Sequence, residues 1–136
     1  MKNLALMASC TLLSTVAIAD DVSETNRLLC SQSQVMLCLH SADCAFVPPA
    51  EVATPQFVII DTRKKIVSTT KASGEGRSSD IGNLTRDGGL IMAQGRQGER
   101  AFSFVIDEAT GTFTGSVASD GYTINAFGAC TDARVD

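Results

Sequence analysis

Cysteines, a single histidine and a run of arginines are the residues of this chain best suited to chemistry. Cys30, Cys38, Cys44 and Cys130 follow an N-terminal apolar stretch that holds the fifth cysteine, Cys10. Such residues can bind zinc, attack as thiolates or close disulfides. Structural zinc favours C-x2-4-C pairs, whereas the gaps here are seven, five and eighty-five residues. With no C-x-x-C pair, thioredoxin-like redox chemistry has no motif to use. An even number of cysteines in a small exported chain reads instead as two disulfides. Four cysteines allow three pairings. The polar-ended segment Leu39–Asp43 favours Cys38 with Cys44 and leaves Cys30 for Cys130.

His40 is the one imidazole, so any triad has to use it. It sits in the same polar turn, beside Ser41 and Asp43, with no G-x-S-x-G context around it. Asp61, Asp107 and Asp120 each mark a place where an apolar run meets a turn. Paired carboxylates could run glycoside hydrolysis, but Asp is also a favoured turn residue because its side chain bonds its own backbone. The turn reading is preferred, and no D-x-D-x-D-G run supports calcium. Gly74-Glu75-Gly76-Arg77-Ser78-Ser79 lacks the G-x-x-x-x-G-K of a phosphate loop. Arg77, Arg86, Arg96 and Arg100, with Lys64 and Lys65, form a candidate cationic patch for an anionic glycan or lipid head group. Asn83-Leu84-Thr85 is a glycosylation sequon, relevant only to a eukaryotic secretory route. We read no catalytic residue, no metal site and no cofactor motif.

These residues sit behind an address. Met1-Lys2-Asn3 carries one positive charge, Leu4 to Ile18 is uncharged and mostly apolar, and Ala17-Ile18-Ala19 is an A-x-A site. That is the layout of a secretory signal peptide, over residues 1–19, with cleavage after Ala19. The apolar stretch is fifteen residues, short of the roughly 20 that a membrane-spanning helix needs. Cys10 interrupts that stretch instead of following it, so it reads as part of the discarded segment and not as a lipid anchor. The mature chain, 20–136, is expected to be periplasmic or secreted, with no transmembrane segment.

The elements that position the remaining residues read as antiparallel strands. Residues 20–29 suit a short helical turn, with Ser23 and Asn26 at cap positions. Gln34 to Leu39 favours strand, and an extended chain puts Cys30 and Cys38 on one face, being an even number apart. Pro48-Pro49 and Pro55 bracket a linker. Phe57-Val58-Ile59-Ile60 and Ile66 to Thr70 form a hairpin. Ser73 to Gly89 carries five glycines and reads as mostly loop, with a short strand at Asp80–Leu84. Leu90 to Ala93 is a strand broken by Gly95 and Gly98. Phe102, Phe104 and Ile106 alternate with polar neighbours, and Thr112 to Ala118 is β-prone. Tyr122, Ile124, Ala126, Gly128 and Cys130 share one parity in the last strand. We expect Phe102, Phe104, Ile106, Tyr122 and Ile124 inside, with Ser103, Thr123 and Asn125 outside. Short strands between turns every eight to twelve residues imply an all-β fold, a small antiparallel barrel or sandwich of meander type, stapled by disulfides.

Composition bounds the function. The chain has 136 residues, 44% of them hydrophobic and 19% charged, so it is one globular domain and not a disordered tail. A net charge of −4 argues against nucleic acid as partner.

Several segments carry a likeness: Cys30, Cys38 and Cys44 near the mature start, Phe57-Val58-Ile59-Ile60-Asp61, Ile106-Asp107-Glu108-Ala109-Thr110-Gly111 and Phe127-Gly128-Ala129-Cys130-Thr131. In these the chain resembles small exported proteobacterial β proteins of unassigned function. The resemblance implies a periplasmic β fold and no activity. Ser73-Gly74-Glu75-Gly76-Arg77 is a looser echo of the periplasmic C-type lysozyme inhibitors, whose Ser-Gly-x-Arg-Tyr signature is missing here, so no inhibitory residue is carried over. The expectation is an exported, non-catalytic β domain that binds a protein or a small ligand in the periplasm. The alternatives are an inhibitor of a secreted lysozyme-like enzyme and, third, a small hydrolase.

Overall fold

The apolar alternation of the last forty residues closes a barrel. A computed structural model of the chain describes residues 20–73 and 76–133. The expected signal peptide, with its cleavage after Ala19, and Cys10 lie outside the described residues. Strands β1 (Arg27–Leu39) and β2 (Ala45–Val47) precede the hairpin β3 (Phe57–Asp61) and β4 (Ile66–Thr69). They are followed by β5 (Ser78–Asp87), β6 (Leu90–Gln97), β7 (Arg100–Asp107), β8 (Thr112–Ser119) and β9 (Tyr122–Asp132). Each strand from β3 to β9 pairs antiparallel with the next, and β1 pairs with both β3 and β9. The result is an eight-stranded closed meander, with β2 added beside the far half of β1. It is a barrel and not a sandwich. Among the described residues no helix is long and apolar enough to cross a membrane.

Both expected disulfides form. Cys30 and Cys130 face each other directly across β1 and β9, buried, with Cα atoms 4.0 Å apart. Cys38 joins Cys44 across the turn that holds His40.

Phe104, Ile106 and Ile124 are buried as the alternation requires, while Phe102 and Tyr122 are half-buried and pack against the same core. Ser103 is exposed; Thr123 and Asn125 face outward but are half-covered. Interior positions oppose large rings with small residues. Phe102 lies across from Gly95, and Phe104 from Ala93 and Gly115. A Cβ on Gly95 would come within 2.2 Å of the Phe102 ring and 2.6 Å of the Asp80 carbonyl. Contrary to expectation, Gly95 does not break β6; it makes room for the phenyl ring inside a strand that continues to Gln97.

Two bulges explain the other departures. In β1 the register slips between Gln32 and Gln34, so Ser33 is an extra residue and the parity reverses. Cys30 therefore faces the interior, while Cys38 faces outward opposite Thr123, against the expectation of one shared face. Gly128 sits opposite this bulge, where a Cβ would fall 1.7 Å from the Ser31 carbonyl oxygen. In β5 the slip is between Ile81 and Asn83. It lets Ile81 and Leu84, three apart, both face the core. That odd spacing hides a ten-residue strand in a stretch expected to be mostly loop.

Two smaller corrections concern the connections. Residues 20–26 make a hydrogen-bonded turn, Thr25 N–H to Val22 O, and no helix. The proline-bracketed linker contains a 3-10 turn, Pro49–Val52, which packs Val52 against the core.

The two ends of the barrel differ. One end carries the turns after β3, β5 and β7 and is plugged by the N-terminal segment. Val22, 1% exposed, donates its N–H to Glu108 O. Arg86 pairs with the Glu108 carboxylate and donates to Val22 O and Thr25 O at 3.3 and 2.9 Å. Asp21 accepts from Ser23 N–H, a bond that holds its carboxyl below the usual range. The other end carries the turns after β1, β4, β6 and β8, and there the linker residues Ala53, Thr54 and Pro55 border the barrel interior, tied to Arg77.

Candidate functional site

Toward that end the barrel interior holds a cavity of about 130 Å³. The strand parity dictates its floor: Val58, Ile60, Phe104, Phe113, Ile124 and Ala126 all point inward, and all are buried. Phe104 and Phe113 approach to 5.9 Å between ring centroids, forming one aromatic wall. Nearer the mouth the same inward positions turn polar. Thr69 ends β4, Ser79 is second in β5, Gln97 ends β6 and Arg100 opens β7, and all four line the cavity. Arg77 precedes β5 and donates from its terminal nitrogen to Ala53 O at 3.1 Å. Arg100 lies over the Tyr122 ring, 5.9 Å from its centroid. Among the described residues no Asp or Glu lines the cavity.

Gln32 is the polar group set deepest. It is 8% exposed and follows Leu28 and Cys30 on the interior face of β1, just before the bulge. Its backbone N–H donates to Gln56 O, and among the described residues no partner engages its carboxamide, which lines the cavity. An amide so placed offers one acceptor and two donors to an occupant.

The four arginines of the candidate patch are divided between places. Arg77 and Arg100 stand at the cavity mouth. Arg96 belongs to the outer face of β6 and donates to Gly98 O at 2.6 Å, while Arg86 holds the plug at the opposite end. Lys64 and Lys65 lie in the β3–β4 turn, also at the plugged end. Sequence reading missed Gln32, Ser79 and Gln97. The signal was present for Gln32, which shares parity with Leu28 and Cys30, and for Gln97, which pairs with Arg100 around the Gly98 turn.

The other candidates take up turn roles. Asp61 accepts from Lys64 N–H at 2.8 Å, and Asp107 from Ala109 and Thr110 N–H at 3.0 and 2.9 Å. Asp120 and His40 are exposed at the far end from those two. Among the described residues no three His, Cys, Asp or Glu side chains converge as a metal site would need. In the Ser73–Arg77 segment, Gly74 and Glu75 lie outside the described residues. No protein-family model, no curated protein and no solved structure matches the chain.

Proposed function

We propose that this protein is an exported barrel that binds a small molecule in its open end. The cavity of about 130 Å³, apolar below and polar at the rim, carries the reading. An enclosed apolar cavity of roughly 150 Å³ accepts one benzene-sized guest, so this one matches a single ring or a short branched chain. Pockets for larger organic ligands run from roughly 300 Å³, which sets an upper bound on what enters fully. Binding rather than turnover is supported by the lining. Among the described residues it offers hydroxyls, amides and guanidinium groups, and no imidazole or carboxylate placed as a general base. Export is supported by the A-x-A site at 17–19 and by two disulfides, which persist in oxidising compartments.

Titration with toluene, followed by methyl NMR, tests the reading. Saturable shifts at Ile124 and Ala126, lost in Ala126→Leu, are expected, because the leucine would occupy the floor. Unchanged spectra at saturating toluene would sink it.

A further inference from the structure

We infer that the ligand of this cavity is a small organic anion: a ring or short apolar body carrying one carboxylate-type head. This rests on the reading of the open end as a binding site and names the chemistry it selects. The apolar floor fixes the body, and the rim fixes the head. Arg100 opens β7 one inward step above Phe102, so a ring seated against Phe104 and Phe113 would leave its substituent at the level of the guanidinium. Tyr122 supports the guanidinium through its ring face, at 5.9 Å. Such stacking leaves the in-plane N–H donors of arginine able to grip a carboxylate in a fork. Among the described residues no carboxylate forms an ion pair with Arg100. Arg77, whose terminal nitrogen donates to Ala53 O, reaches the same mouth, and Gln97 and Ser79 add neutral polar groups there.

The charge contrast gives the assignment its direction. The whole chain carries −4, yet among the described residues the lining has Arg77 and Arg100 and no acidic residue. Glu99 in the β6–β7 turn and Asp120 in the β8–β9 turn stand at the same end, but neither lines the cavity. A bound head group is therefore governed by the nearby guanidinium groups, and a cationic guest is rejected for the same reason.

Three probes of one shape separate the possibilities: toluene, benzoate and benzylammonium, titrated into the oxidised protein. Benzoate should bind at least 10-fold tighter than toluene, and benzylammonium more weakly than either. The benzoate advantage should shrink in 1 M NaCl. Arg100→Gln should cost benzoate about 10-fold more than it costs toluene, with circular dichroism reporting that the variant is folded; an equal loss for both would overturn the role given to Arg100. Arg100→Lys, which keeps charge but loses the fork, should fall between. If toluene binds and benzoate is no tighter than benzylammonium, the anion assignment is overturned while the binding site stands. If none of the three binds, the site itself is refuted, and the assignment with it.

Discussion

Replacing Phe104 by alanine probes the barrel interior and its cavity together. The side chain is 6% exposed, with ring centroids of Phe102 and Phe113 at 6.3 and 5.9 Å. Its cross-strand neighbours are Ala93 and Gly115, too small to fill the space the ring would leave. Removing the ring opens roughly 100 Å³, worth about 2.4 kcal/mol at about 24 cal/mol per Å³ of cavity. The lost transfer of apolar surface adds about 2 kcal/mol. The new space joins a cavity already about 130 Å³ in volume and open at the mouth, so entering water moderates the void term. We therefore expect about 3–4 kcal/mol, in the lower part of the usual range for emptying an aromatic site. Equilibrium unfolding in guanidinium chloride, with disulfides intact, measures it. Val105→Ala is the internal control: one residue along, facing outward and 39% exposed, it should cost under about 1 kcal/mol. Equal losses at the two positions would refute the assignment of faces on β7.

Three further outcomes follow from the geometry. Substituting Cys30 and Cys130 together by alanine should cost about 5 kcal/mol, and Cys38 with Cys44 only about 2, because denatured-chain entropy grows with loop length; thermal unfolding of the two double variants compares them, and a larger loss for the short loop would contradict this. Gly128→Ala should cost more than about 3 kcal/mol or abolish folding, since its new Cβ meets the Ser31 carbonyl at the bulge; near-native stability by circular dichroism would show that β1 can shift away. Arg86→Gln should cost about 1–2 kcal/mol, a modest figure because the pair is partly exposed, and should speed amide exchange at Val22 specifically; unchanged exchange there would mean that the plug does not depend on this arginine.

The barrel was legible wherever the period of two ran unbroken. Phe102 to Ile106 and Tyr122 to Cys130 announce their faces directly, and the turn residues Asp107 and Gly111 sit where β7 gives way to β8. Both disulfides followed from count and spacing. What stayed hidden lies at the bulges. One extra residue at Ser33 moves Cys38 to the outer face, and another at Gly82 turns Ile81 and Leu84 into an apparently irregular pair. No local preference signals such an insertion, because it is set by how the closed sheet must bend. The cavity was legible only in its charges. Arg77 and Arg100 were named, but their grouping with Arg86 and Arg96 reflected sequence proximity, and the barrel sends those four to different places. Gln32, interior and polar, read simply as part of an ambiguous strand.

Pairing β1 with β9 also fixes the order of events in folding. Synthesis delivers Cys30 some hundred residues before its partner. Until Tyr122–Asp132 arrives, one side of β1 has no strand to pair with, and the barrel cannot close. During that interval the nearest thiols to Cys30 are Cys38 and Cys44, and a wrong bridge to either would tie β1 to its own turn. Closing a loop of a few residues is far faster than any contact across the whole chain. Cys38 and Cys44, nearest in sequence and bracketing a turn, are the favoured early pair, and their bridge withdraws both from competition. When the last strand emerges, Cys30 has one thiol left to meet. The short bridge, the lesser contributor to stability, is in this sense a guard on the timing of the long one.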